Sequence, residues 1–403
     1  MNLPPMIAAL RHHKAAVTLI ALQVALTCAI VCNAIFLIAS HAQRLHVSSG
    51  IEDDALVWAR SSGLRRGDGA DARARADLDA LRHLPGVTAV AQVNTLPLMG
   101  NDWSADLGVT AGDAQPAVNG AALFLGTPSF LGTLGVRLVE GRDFHADEYV
   151  DYSPFDDTPA PPTAIVTRQL AAHLWPGQPA LGQRVYIGAG SSQGALVVGV
   201  VADVARSAIS GGTSDHDVLL LPVRTVAGPY ALRVDPTHRD EVLRTLPAAL
   251  IAQDADRIVT DREAFVDTVH RYFHDDRAMV WLLVTVVGSL LLVTALGILG
   301  LSSYWVHQRR RHIGVRRALG ATRRSILTYF LAENMLVVGL GLAIGTCVAM
   351  WLNHWLGERY EVPRLPLSWL GIGALLLWAI GLVAVFGPAR RAAAQPPMWV
   401  IRQ

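Results

Sequence analysis

The chain has 403 residues, 52% hydrophobic and 17% charged, with a positive mean hydropathy, a balance that points to a membrane protein rather than a soluble globule. Its three cysteines, Cys28, Cys32 and Cys347, lie in apolar runs and the long polar middle has none, which excludes a disulfide framework there. Lys14 is the sole lysine and no Gly-Lys-Ser/Thr tripeptide occurs, which excludes ATP binding in the P-loop manner.

An α-helix needs about 20 apolar residues to cross the bilayer core, and four stretches qualify. Residues 1–14 lead into the first, Ala15–Ala39, interrupted only by Gln23 and Asn33. Its apolar core is longer than that of a signal peptide, and no Ala-x-Ala cleavage site or lipobox is evident, so it reads as an uncleaved span. Residues 40–277 follow, enough for one or two cores. A helix is expected from Asp77, LPGV as a turn, and Thr88–Val93 as a strand. Ala195–Val204 (ALVVGVVADV) has a buried-strand pattern. Tyr230–Val234 reads as a strand, Arg239–Gln253 as a helix and Arg257–Thr260 as a strand. Asp261–Arg277 reads as a helix with Asp261 as its N-cap. Helix–strand units at about 50–110 and 226–275 thus bracket a β-rich part at about 111–225, a discontinuous α/β subdomain with an insertion. Asp147–Pro162 (DEYVDYSPFDDTPAPP), acidic and proline-rich, reads as a mobile loop. The second span is Met279–Trp305, then an arginine-rich loop at 306–326, the third span Leu327–Leu352, a short loop at 353–366, the fourth span Leu367–Phe386 closed by Gly387-Pro388, and a tail at 387–403. The expected class is an integral membrane α-helical protein of four transmembrane helices, with a large extracytoplasmic α+β domain between helices 1 and 2.

Arginine and lysine placement sets orientation. Arg11 and Lys14 precede the first span, seven arginines fill the loop between the second and third, and Arg390, Arg391 and Arg402 follow the fourth. These 12 basic residues meet no acid in their segments, whereas His41–Arg277 holds 20 basic and 30 acidic residues. Both termini are therefore expected in the cytoplasm and the large segment outside.

Candidate chemistry is sparse. His270 and His274 have metal-ligand spacing on an expected helix, without the third ligand or the glutamate of HExxH. Asp215-His216-Asp217 follows Gly211-Gly212 and reads as a loop. No nucleophile-elbow GxSxG occurs. Glu333 lies about two turns inside the third span. A carboxylate there faces a partner helix or polar path, or lies shallow enough to meet water or an arginine. Gly339, Gly341 and Gly345 on the same helix allow close packing, against another protein's helix or within the chain. In the arginine loop, topogenic charge and anionic headgroups explain the arginines. They leave unexplained the interleaved Ile313, Val315, Ala318, Leu319 and Ile326. Ile313–Ile326 can form a short amphipathic helix bent near Gly320, suited to docking in a cytoplasmic partner's groove.

Several segments together resemble one family. Ile313–Ile326 (IGVRRALGATRRSI) is similar to the cytoplasmic loop signature of the MacB/FtsX-type permeases of ABC transporters. Phe130–Phe144 (FLGTLGVRLVEGRDF), Ala164–Val185 (AIVTRQLAAHLWPGQPALGQRV) and Pro388–Pro396 (PARRAAAQP) resemble further segments of that family, and Glu333 in FLAEN matches a family glutamate. One span, a large outer domain, then three spans is also its layout.

The resemblance implies a non-enzymatic permease of the bacterial inner membrane, paired with a cytoplasmic ABC ATPase and with a second permease copy or paralogue. ATP and magnesium would be held by the ATPase, so this chain would have no cofactor, catalytic residue or metal. ATPase coupling would fall to Arg309, Arg310, Arg311, Ile313, Gly314, Arg316, Arg317, Leu319, Gly320, Arg323, Arg324 and Ile326. Pro388, Arg390 and Arg391 would make the tail contact, and Glu333 and Asn334 would be polar groups inside the membrane. Other implied partners are membrane lipids, a periplasmic adaptor and an outer-membrane duct; nucleic acid is not among them. Two departures stand out. Gln308 and His312 occupy positions where the family has acids, and the tail Met398-Trp399-Val400-Ile401-Arg402 lacks its acid. The expected role is mechanotransmission from the ATPase to the periplasmic domain, driving export of peptide, toxin, antibiotic or lipid-linked cargo. The alternatives are an FtsX-like regulator of a cell-wall hydrolase and a lipoprotein-extraction permease.

Overall fold

The computed structural model describes residues 14–63, 70–151, 161–225, 228–308, 322–360 and 365–394. The chain divides into one unit of residues 43–276 and another made of 1–42 and 277–403. The first helix, α1 (Lys14–Arg44), is continuous across the first of these boundaries.

In the 43–276 unit, β1 (Leu56–Gly63), α2 (Ala70–Arg82) and β2 (Val87–Gln92) come first. After an insertion, β10 (Tyr230–Val234), α5 (Arg239–Gln253) and β11 (Arg257–Ala264) return to complete the same sheet, all antiparallel in the order β11-β1-β10-β2. The period of two along a strand decides which side each residue packs. Val57 and Ala59 of β1 join Leu81, Val242, Leu246 and Leu250 beneath α2 and α5, while Leu56 and Trp58 face the other way, into a core shared with the insertion. Asp77 of α2 is buried in this layer, 2.6 Å from Arg257, and accepts a 2.7 Å hydrogen bond from Tyr230 Oη. Burial and that bond to a carboxylate push the phenol's pKa up.

The insertion carries β3 (Ser104–Gly108), β4 (Val118–Gly126), α3 (Phe130–Leu134), β5 (Leu138–Gly141), β6 (Thr163–Thr167), α4 (Arg168–Leu174), β7 (Arg184–Ile187), β8 (Gly194–Val201) and β9 (Val218–Pro222). Its sheet runs β5-β8-β6-β9-β4-β3-β7, and β7 pairs back onto the start of β8. Six strands therefore close into a ring, which removes free edges. β5 attaches to the last residues of β8. Alternation again sorts the residues. Ala121, Leu123 and Leu125 enter one core with Val166, Leu170 and Val197, while Ala122 and Phe124 enter the shared core with Phe130 and Trp58.

Several boundaries differ from those read in the sequence. The insertion's first strand is Ser104–Gly108, ahead of the expected start near 111. SADLG is short and contains Asp and Gly, which strands disfavour, so only its pairing with β4 and β7 makes it a strand. The helix expected from Asp77 begins at Ala70. The helix expected from Asp261 begins later, as α6 (Phe265–Tyr272), with Ala264 as N-cap. Asp261 lies instead within β11, opposite Arg60, because an edge strand tolerates a polar run while its backbone pairs with β1. His270 and His274 do not share a helix, since α6 ends at Tyr272 and α7 (His274–Gln308) starts after Phe273. Of the acidic loop Asp147–Pro162, residues 152–160 lie outside the described residues.

The other unit contains α1, α7, α8 (Arg323–Tyr360) and α9 (Leu367–Ala394), each long and apolar enough to cross a membrane. α8 extends past the expected third span at both ends. α9 continues through Gly387 and Pro388 to Ala394, so that pair ends the apolar window without ending the helix.

Candidate functional site

Within the bundle the first helix is the hub. Two-thirds of the apolar window of α1 is buried (67%), against 17% for the span containing α7. Small residues bring its neighbours close. A Cβ at Gly345 of α8 would fall 2.6 Å from Cys28 Cβ and 2.7 Å from the Ala25 carbonyl oxygen, and one at Gly341 would fall 2.8 Å from the Ala21 oxygen. A Cβ at Gly373 of α9 would fall 2.5 Å from Cys32 Sγ. Gly341 and Gly345 thus serve packing inside the chain, whereas nothing lies within 4 Å of that position at Gly339. Polar side chains of α1 hold the same neighbours. Thr27 Oγ1 lies 2.9 Å from Thr294 Oγ1, Gln23 Nε2 donates to the Val293 carbonyl at 3.3 Å, and Asn33 Nδ2 donates to the carbonyls of Ala29 and Ala349. In an apolar surrounding these bonds have no water to compete with them. Gln23 and Asn33 stood out in the sequence as interruptions; their role as clasps could not be read without knowing which helix they face.

Glu333 and Asn334 are both buried in α8, at 2% and 5% exposure. Val337, Val338, Leu331 and Leu327 of the same helix belong to the bundle core. Asn334 Oδ1 has no hydrogen-bond partner among the described residues. The pair is therefore placed inside the bundle rather than on an exposed surface.

Of the expected coupling residues, Arg309, Arg310, Arg311, Ile313, Gly314, Arg316, Arg317, Leu319 and Gly320, with His312, lie outside the described residues. The flanks are described. Gln308 ends α7 exposed, and Thr322 Oγ1 accepts the Ser325 amide at 3.2 Å in a capping contact at the start of α8. Arg323 and Arg324 are exposed in that helix's first turn. Ile326 is a correction: its side chain is 6% exposed inside the bundle's own core, so it cannot fill a partner's groove. Arg390 is exposed next to buried Ala389; Pro388 and Arg391 lie in the same last turns of α9.

The sequence reading missed a group of contacts in the 43–276 unit, close in sequence to where α1 ends and α7 begins. Arg44, the last residue of α1, pairs with Asp276 in the first turn of α7 at 3.5 Å. Tyr272 Oη accepts the Ile209 amide at 2.9 Å, and Phe273 is buried with Leu98, Ala205 and Ile209. No local pattern signals a pair more than 200 residues apart.

Two family descriptions match this arrangement. Residues 15–260 match the MacB-like periplasmic core domain, and residues 284–397 match the FtsX-like permease C-terminal region. The chain belongs to the MacB/FtsX-type permease family. It is 27% identical over 359 residues to the macrolide export ATP-binding/permease protein MacB of Shewanella oneidensis, covering 83% of this chain and 50% of that protein. It is 26% identical over 273 residues to MacB of Marinobacter nauticus (65% and 40%). It is also 26% identical over 274 residues to the pyoverdine export ATP-binding/permease protein PvdT of Pseudomonas entomophila (61% and 39%). The chain spans half or less of the length of these curated relatives. A crystal structure of the periplasmic region of MacB from Actinobacillus actinomycetemcomitans matches at 15% identity and a TM-score of 0.34, over 57% of this chain and 98% of that one. As a family member the chain is an inner-membrane permease of the ABC-transporter type, with four spanning helices and a MacB-like periplasmic core domain.

Proposed function

We propose that this chain couples ATP hydrolysis by a separate cytoplasmic ATPase to movement of its periplasmic domain, and so drives export of periplasmic cargo. The reading rests on one feature above all. Only two helices carry the chain between bundle and periplasmic domain, and Arg44 at the end of one pairs with Asp276 at the start of the other. A displacement of α7 is thereby tied to α1, the hub of the bundle.

The arginine-rich segment between α7 and α8, with Arg323, Arg324 and Arg390 exposed at its flanks and in the tail, is where acidic groups of the ATPase would dock. ATP and magnesium would be bound by that partner. The excess of 12 basic residues over no acids in the N-terminal, inter-helix and tail segments supports cytoplasmic termini. Export is favoured over hydrolase regulation because the periplasmic part matches the MacB-like core domain, and because relatives named for macrolide and pyoverdine export align with it. A second permease copy or paralogue, an adaptor and an outer-membrane duct complete the proposed assembly.

Reversal of charge at Arg316 and Arg317 (R316E/R317E) tests the reading. The ATPase should no longer co-purify, while membrane insertion is unchanged. Undiminished co-purification rejects the coupling role.

A further inference from the structure

A cleft of about 420 Å³ opens in the periplasmic domain among Trp58, Arg60, Leu98, Met99, Asp261 and Tyr272. Its size suits a small ligand. The floor is fixed. Trp58 is 3% exposed, and its indole N–H donates to Thr268 Oγ1 at 2.6 Å; Thr268 in turn donates to Glu263 at 3.1 Å. Arg271 is held by the same glutamate at 2.6 Å, so that pair is mutually neutral.

One wall carries backbone strain. Leu98 has φ +58°, a left-handed conformation that a leucine rarely adopts, and Gly100 follows at φ +84°. The Leu98 and Gly100 amides donate to the carbonyls of Arg206 and Ser207, which hold the turn against relaxation. Strain of this kind persists where the surroundings over-determine it and concentrates at ligand sites. A Cβ at Gly100 would meet nothing within 4 Å, so this part of the wall is open.

The charges decide the ligand class. Arg60 and Asp261 stand directly opposite each other on β1 and β11, and both line the cleft. Neither makes an ion pair with another described residue. Arg60 instead lies 5.9 Å from the centroid of the Trp58 ring, a cation–π contact that leaves its N–H groups available. A cation and an anion on facing strands beside Met99 complement a ligand that is itself a zwitterion with an apolar neighbour.

We propose that this cleft binds a zwitterion of the phosphoethanolamine type, its oxyanion on Arg60 and its ammonium on Asp261, with the apolar remainder against Met99. Thr268, Arg271 and Tyr272 at the cleft belong to α6, which is followed after one residue by α7, so an occupant would bear on the helix that leads into the second span. The site does not depend on the proposed ATPase pairing.

The test uses the full chain in detergent, with glycerophosphoethanolamine titrated calorimetrically. Arg60→Gln and Asp261→Asn, each melting like the wild type, should weaken binding at least ~10-fold, about 1.4 kcal/mol. The charge-swapped pair Arg60→Asp/Asp261→Arg should recover it. Glycerol phosphate, which lacks the ammonium, should bind at least ~10-fold more weakly than the zwitterion. A second arm measures retention of phosphatidylethanolamine over phosphatidylglycerol by native mass spectrometry. Retention that both single variants lose identifies a lipid headgroup as the source, and binding of the soluble ligand without such retention identifies a free metabolite. No binding to the wild type, single variants that bind as it does, or equal binding of glycerol phosphate overturns the proposal.

Discussion

The two units of this chain are built on opposite packing logic. In the periplasmic domain large apolar side chains fill the interior, with Phe124, Phe130 and Phe265 fully buried, and the buried charge of Asp77 is paired with Arg257. In the bundle glycines, threonines and an asparagine bring α1 close to its neighbours beside an apolar core of Ile20, Val24, Val338 and Leu342, while Trp281, Trp351, Leu375 and Val383 point outward at 66% to 76% exposure. Water drives the first arrangement. In lipid an apolar side chain gains little by leaving the solvent, so close backbone approach and hydrogen bonds decide which helices meet. The lesson extends within the bundle: α1 and α7 are similarly apolar, yet one is the hub and the other is mostly exposed.

That contrast can be broken most forcefully at Gly345. Gly345→Leu should cost at least about 1–3 kcal/mol of stability by overpacking against Cys28 and Ala25. Gly288→Leu on α7, where a Cβ meets nothing within 4 Å, should stay within about 0.5 kcal/mol. Melting temperatures in detergent check both, and equal losses would erase the distinction between hub and periphery.

A smaller loss is expected at the polar clasps. Asn33→Leu removes the bond to Ala349 and should cost about 0.6 kcal/mol. Thr27→Val should act similarly at α7. Neither change should alter the domain's hydrogen-exchange protection.

The smallest effect separates the units by pH. Glu148 accepts hydrogen bonds from Arg142, at 2.6 and 2.8 Å, which hold its carboxyl below the ordinary value of 4.5. A depressed acid contributes stability that is present above its unfolded pKa and lost as pH falls through the folded one. Unfolding of the full chain should therefore become easier below about pH 4.5 in the domain's transition. Glu148→Gln should flatten that part of the dependence. Burial raises the pKa of nearby Asp143, an opposite sign that the Glu148 variant leaves in place.

Much of the fold was legible because its signals are local. β10 and α5 lie where alternation and composition placed them, at Tyr230–Val234 and Arg239–Gln253. Gly341 and Gly345 were legible as small residues, but their partner was not. β3 is short and carries Asp and Gly, and the polar half of β11 carries no apolar alternation, so they become strands only through neighbours distant in sequence. Ile326 looked like one of several apolar residues spaced for docking. Its burial depends on where α8 begins, which Thr322 caps.

The amino-acid sequence by itself determined the four apolar runs long enough to cross a membrane and the family, because length, apolar runs and short motifs act along the chain. Tertiary structure alone decided that α1 is the centre of the bundle, that six strands close into a ring, that Arg44 meets Asp276, and that Arg60 and Asp261 share a cleft. Each of those depends on groups brought together across tens to hundreds of residues, where the energy lies in the contact and leaves no periodic mark on either segment.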